Sequence, residues 1–122
     1  MKKKILVIDD DPTTLHVVAG IITSGGEFEV IESDNPALVL ELVELHHPVA
    51  VVTDTNMSVT KGIRVLRTVK ERYPMLPVVL LFSGLHSSPM TVDDVLCLGA
   101  VAVISKPEAL FQLRAVLGRL VL

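Results

Sequence analysis

Short apolar runs and segments of helical period alternate from one end of the chain to the other. Ile5-Leu6-Val7-Ile8, Ala50-Val51-Val52-Thr53, Val78-Val79-Leu80-Leu81-Phe82 and Val101-Ala102-Val103-Ile104 are rich in β-branched residues and bounded by polar ones. That pattern predicts buried parallel strands. Phe28-Glu29-Val30-Ile31-Glu32-Ser33 admits charges at alternating positions and reads as a strand nearer the sheet edge. Between the runs, Leu15, Val18 and Ile22, with Val17 and Ile21 beside them, predict one amphipathic helix. Leu38, Leu42 and Leu45, with Val39 and Val43, predict a second through roughly His46, and its apolar positions exceed one stripe. A third turns Ile63, Leu66, Val69 and Tyr73 inward and Lys61, Arg64, Arg67, Lys70 and Arg72 largely outward. A short helix ends at Leu98-Gly99-Ala100, and a last one, from about Glu108, carries Leu110, Leu113, Val116, Leu117 and Leu120 on a broad side.

Punctuation supports these boundaries. Asp11-Pro12 and Asn35-Pro36 each offer a side-chain cap followed by a proline at the first helical position. Gly25-Gly26 and Gly99 are placed as terminators, and Pro48, Pro74 and Pro77 mark returns to the sheet. Strands separated by single helices require right-handed parallel crossovers, so five β-α units give one doubly wound α/β domain spanning residues 1–122.

Composition narrows the function. Half of the 122 residues are apolar, ample for a single core. A net charge of −3 and few aromatic residues argue against direct nucleic-acid binding. Lone Cys97 cannot form an internal disulfide, and without a signal peptide or long apolar span the expectation is a cytoplasmic protein with no membrane contact. His16 and His86 stand alone, and adjacent His46-His47 do not share a helix face, so no histidine metal site is expected.

The chemistry gathers where strands end. Ile8 runs into Asp9-Asp10, the third strand into Asp54, the fourth into Ser83-Gly84 and the fifth into Ser105-Lys106-Pro107. In a parallel sheet these converge on the carboxyl rim, where open α/β folds bind ligands. Asp11 is set aside as a structural cap. Three neighbouring carboxylates repel one another, and a hard divalent cation relieves the conflict; Mg²⁺ takes a few carboxylate or carbonyl oxygens, then water and phosphate oxygens. Lys106 suits a phosphate oxygen and Ser83 is a neutral donor. With a phosphoryl donor at hand, Asp54 is placed as the nucleophile that forms an acyl phosphate.

Taken together, Ile8-Asp9-Asp10-Asp11-Pro12, Asp54 with Met57 and Gly62 behind it, Ser83-Gly84 and Lys106-Pro107 resemble the receiver domain of two-component response regulators, over essentially the whole chain. The resemblance implies a CheY-like (flavodoxin-like) fold of strand order 2-1-3-4-5. It implies Asp54 as phosphoacceptor, Mg²⁺ held by Asp9, Asp10, Asp54 and the backbone carbonyl of Asn56, Ser83 bonded to the phosphate and Lys106 paired with it. The donor would be a phosphohistidine on a sensor histidine kinase or phosphotransfer protein. The domain's own chemistry would be self-phosphorylation and slow autodephosphorylation, not conventional enzymatic turnover.

The pattern is not kept everywhere. Val103 stands where the family commonly has an aromatic, which puts the usual coupling in doubt and routes switching through Ser83 and the loop from Gly84 to Met90. Ser58, Lys61 and Glu108 also depart, and Asn56 and Leu85 flank the site where they can tune hydrolysis. The alternative is a pseudo-receiver, a protein-interaction module of the same fold that is not phosphorylated. A phosphatase with an aspartyl-phosphate intermediate needs a second acid two residues after the nucleophile, where this chain has Asn56. Leu96, Leu120, Val121 and Leu122 suggest a homodimer or output-domain contact through the last two helices and the fifth strand, against the alternative of internal packing.

Overall fold

The structure, a computed structural model, describes residues 2–54, 59–82, 96–105 and 112–121, with only the backbone described at 59–61, 82, 105 and 121. Strands β1 (Lys3–Ile8), β2 (Phe28–Ser33), β3 (Ala50–Asp54), β4 (Val78–Phe82) and β5 (Ala102–Ser105) form one parallel sheet in the order β2-β1-β3-β4-β5. The helices among the described residues are α1 (Pro12–Thr23), α2 (Val39–His46), α3 (Val59–Arg72) and α4 (Leu113–Val121). Leu96 and Cys97 are helical, and the rest of the short helix expected before Gly99 lies outside the described residues.

Alternation along each strand divides the core in two. Leu6, Ile8, Val51, Val78 and Leu80 face Val39 and Val43 of α2 and Ile63, Leu66 and Val69 of α3. Ile5, Val7, Val52, Val79 and Leu81 face Leu15, Val18 and Ile22 of α1 and Leu113 and Leu117 of α4. Both faces of the central strands are therefore dry, which is why their sequences read as continuous apolar runs. β2, with exposed Glu29 and Glu32, lies at the edge as its charges predict.

The caps act as expected. Asp11 Oδ1 accepts from the Thr13 amide at 3.0 Å and Oδ2 from the Thr14 hydroxyl at 2.8 Å, holding the first turn of α1. Asn35 Oδ1 accepts from the Ala37 amide at 3.0 Å, but the turn it opens, Pro36–Leu38, is 3₁₀, and the α-helix begins at Val39. Gly26 and Gly99 take positive φ, as terminators do. One stop was not foreseen: α2 ends on His47 in the left-handed region, φ 51°, its amide bonded to the Val43 carbonyl at 2.9 Å.

The basic face of α3 needs one correction. Lys70 is half-buried, and its Nζ donates to the Leu76 carbonyl at 2.8 Å and the Pro74 carbonyl at 3.4 Å. Burial holds its ammonium pKa below the ordinary value. Arg64 and Arg67 are exposed as expected, and Arg72 pairs with Glu44 at 3.3 Å on the surface.

Candidate functional site

The carboxyl ends of β1 and β3 set the site. Ile8 pairs with Thr53 in the parallel register, so the next residues along the two strands, Asp9 and Asp54, stand side by side at adjacent strand ends. Strands in a sheet lie about 4.8 Å apart, which brings two carboxyl groups to one edge. Both are 1% exposed. Asp10, the next residue after Asp9, is exposed. The three acids expected at the rim thus divide into two buried side chains and one open to solvent.

Local backbone bonds fix Asp9. Its amide donates to the Ser33 carbonyl at 3.1 Å, extending the ladder between β1 and β2 by one step. Its Oδ1 accepts from the Asp11 amide at 3.0 Å, an Asx turn that aims the carboxyl across the strand end. Asp11 then turns its own carboxyl to the helix cap. The sequence separated Asp11 as structural, and the geometry gives the reason: its amide anchors Asp9 while its side chain starts α1.

On the other side of β3, Asp54 pairs with Leu81 of β4, and Phe82 at the end of β4 pairs with Ser105 at the end of β5. Those paired strand ends immediately precede Ser83 and Lys106 in the chain. Ser83, Lys106 and Asn56 themselves lie outside the described residues, as do Met57, Ser58, Leu85 and Glu108. Gly62 is buried near the start of α3. Val103, half-buried on β5, packs against the α2 and α3 half of the core.

Among the described residues no group of three or more His, Cys, Asp or Glu side chains is gathered to hold a metal. The donors that are present suit magnesium all the same. Mg²⁺ is held through one or two carboxylates with water and phosphate completing its octahedron, not by an all-protein cage. Buried Asp9 and Asp54 with exposed Asp10 beside them supply such a set of hard oxygens.

Thr53 is the residue at this edge that the sequence reading passed over. It is wholly buried, and its Oγ1 has no hydrogen-bond partner among the described residues. A hydroxyl at the last position of an otherwise apolar run was the available signal. The α2 and α3 face it points to is covered by helices, so the polarity is enclosed.

Comparison with known proteins places this geometry in company. The response regulator receiver domain profile matches residues 5–118. The chain is 30% identical over 104 residues to a protein-glutamate methylesterase/protein-glutamine glutaminase of Hahella chejuensis, covering 85% of this chain and 30% of that protein. It is 31% identical over 106 residues to the transcriptional regulatory protein DegU of Brevibacillus brevis, covering 86% of this chain and 44% of that one. It thus spans less than half the length of these curated relatives. Among solved structures, a response regulator receiver domain protein from Clostridium thermocellum superposes with a TM-score of 0.84 at 25% identity, over 98% of this chain and 94% of that one. The receiver domain of NtrX from Brucella abortus gives 0.82 at 28% identity, over 96% and 97%. No helix among the described residues is long and apolar enough to cross a membrane.

Proposed function

The chain belongs to the response regulator receiver domain family, and on that premise we propose that Asp54 accepts a phosphoryl group from a phosphohistidine on a sensor histidine kinase or phosphotransfer protein. The single observation that carries this reading is the pairing of two buried carboxyl groups, Asp54 and Asp9, at adjacent strand ends in the centre of the sheet. A fold keeps such a pair where a cation and a phosphoryl group are to be met.

In the transfer, a carboxylate oxygen of Asp54 forms a bond to phosphorus while the bond from phosphorus to the imidazole nitrogen of the donor breaks. The electron pair stays with that nitrogen, and the product on this chain is an acyl phosphate. Asp9, held by the Asp11 amide, and Asp10, with the carbonyl of Asn56, would hold Mg²⁺ beside Asp54. When bound, that ion offsets the negative charge spread over the phosphoryl oxygens. In this reading Lys106 would supply a cation to the phosphoryl oxygens and Ser83 a hydroxyl donor. Burial of Asp54 limits the access of bulk water to the acyl phosphate, which suits a modification that must persist before it hydrolyses.

Residues 1–122 form the receiver domain in this reading, working in the cytoplasm. Its output is a change in partner contacts, with an output domain or second copy meeting β5 and the helices flanking it. Exposed Leu96 and Val101 beside β5 support that surface.

The test is intact mass after incubation with Mg²⁺ and a small acyl-phosphate donor. Wild type should gain one phosphoryl group, and Asp54→Asn and chelator-treated protein should gain none. A wild-type chain that stays unmodified under these conditions makes the domain a pseudo-receiver.

A further inference from the structure

One buried group is left unused by the transfer chemistry. Thr53 is 0% exposed, and its Oγ1 has no hydrogen-bond partner among the described residues. Enclosed hydroxyls are normally bonded, so this one marks a cost that the chain carries in the conformation described. The sheet offers no remedy. Thr53 stands in register with Ile8 of β1 and Leu80 of β4, and Leu80 with Val103 of β5, all apolar side chains.

The group that can meet the hydroxyl is the start of α3. Ile8 and Leu80 face α2 and α3, and Thr53, in register with both, shares that face. It is the last residue but one of β3, and only residues 55–58 separate the strand from Val59, where α3 begins. The hydroxyl and the first turn of α3 therefore lie at the same end of the sheet. The first four N–H groups of a helix have no acceptor within it, and a threonine hydroxyl oxygen can accept from such a group. Gly62, in this turn, is buried. Without a side chain there, the helix backbone can approach the strand more closely than at any other residue type.

We propose that Thr53 is a positioning residue that ties the phosphoryl state of Asp54 to the position of α3, an inference that rests on the reading of Asp54 as phosphoacceptor. A phosphoryl group on Asp54 resets the short connection to Val59 and draws the first turn of α3 toward β3, where one amide among residues 59–62 donates to Thr53 Oγ1. That bond is made only with the phosphoryl group in place, and a contact that differs between two states is what allows a ligand to shift their balance. By reciprocity, the hydroxyl that holds α3 in its shifted position also tightens the hold on the phosphoryl group. Successive strand residues point to opposite faces, so Thr53 acts through the helix and does not touch the phosphoryl group itself.

The test titrates the full chain, in Mg²⁺, with beryllofluoride as a phosphoryl mimic, and follows amide NMR spectra for both the dissociation constant and the exchange of amides 59–62. Wild type should bind the mimic and gain protection at one of those amides. Thr53→Ser, which keeps the hydroxyl, should do the same, whereas Thr53→Val should lose that protection and bind the mimic about tenfold more weakly. A merely structural role for Thr53 would change the stability of the free and bound chain alike and leave the dissociation constant where it was. Wild type that binds the mimic without new protection at residues 59–62, or Thr53→Val that binds it less than about threefold more weakly, overturns this inference alone. Wild type that binds no mimic, or Asp54→Asn that binds it as wild type does, overturns the phosphoacceptor reading and this inference together.

Discussion

Thr53→Val should make the protein more stable, although it replaces a residue beside the proposed phosphoacceptor. Thr53 lies in register between Ile8 and Leu80, is 0% exposed, and its Oγ1 has no hydrogen-bond partner among the described residues. A buried hydroxyl in that condition costs about 1–3 kcal/mol of lost hydration. Valine has nearly the same shape, removes that cost, and adds a methyl to the apolar contact with the helices above. The methyl is slightly larger than the hydroxyl in a strand with no exposed side chain, and the resulting crowding offsets part of the gain. The net expectation is a stabilisation of about 1–2 kcal/mol. In urea, with a slope of about 1–3 kcal/mol per molar for a domain of this size, the midpoint should rise by roughly 0.5–1 M at unchanged slope. Thr53→Ser is the control: it keeps the hydroxyl and loses the methyl, and should lower the midpoint. If Thr53→Val leaves the midpoint unchanged or lowers it, the hydroxyl is satisfied and the reasoning is wrong.

Other outcomes test the caps, the left-handed positions and Lys70. Asp11→Ala removes the acceptor for the Thr13 amide and Thr14 hydroxyl and should cost about 1 kcal/mol in thermal or urea unfolding; an unaltered midpoint would deny Asp11 its role as cap. His47→Gly relieves a side chain held at φ 51° and should raise stability by about 0.5–1 kcal/mol, a gain that a calorimetric melt would detect or rule out. Gly99→Ala should cost more than Gly26→Ala. Both sit at positive φ, but a Cβ at Gly99 would meet Lys70 Cγ at 3.2 Å whereas at Gly26 it enters open space, and the reverse ranking would refute the contact argument. Burial lowers the Lys70 pKa in the folded chain, so above that lowered value the unfolded chain binds the extra proton and this group's contribution to stability rises with pH until the ordinary 10.5 is passed. The stability of wild type relative to Lys70→Met should therefore increase through that window, and a flat or falling difference would count against desolvation as the cause.

Strand positions were legible because both faces of the sheet are covered, which leaves the apolar run as an unambiguous signal. β2 and β4 match the expected bounds, β1 gains two residues at its start, and β5 begins one residue late, at Ala102. The carboxylates at the strand ends were legible for the same reason, since an acid after a buried run must sit at the rim. What the sequence could not disclose depended on neighbours distant in the chain. Lys70 reads as one more outward cation on a helical wheel, yet the turn through Pro74 and Leu76 presents carbonyls that its Nζ satisfies. Thr53 passes as a good strand residue because β-branching favours strands, and only the helices above it make its hydroxyl costly.

The surplus leucines of α2 show how the same pattern can carry opposite meanings. Apolar residues beyond one stripe signify deep burial when a helix lies over the middle of a sheet, where strands continue on either side. Here the sheet of the described residues ends at β2, so among them no strand lies beyond Ile31 for the outer flank of α2 to cover. Leu45, and Leu38 at the end of the 3₁₀ turn that leads into α2, are consequently left exposed, while Val39 and Val43 are enclosed. The exposure follows from edge topology together with helical phase, two facts that no local window contains.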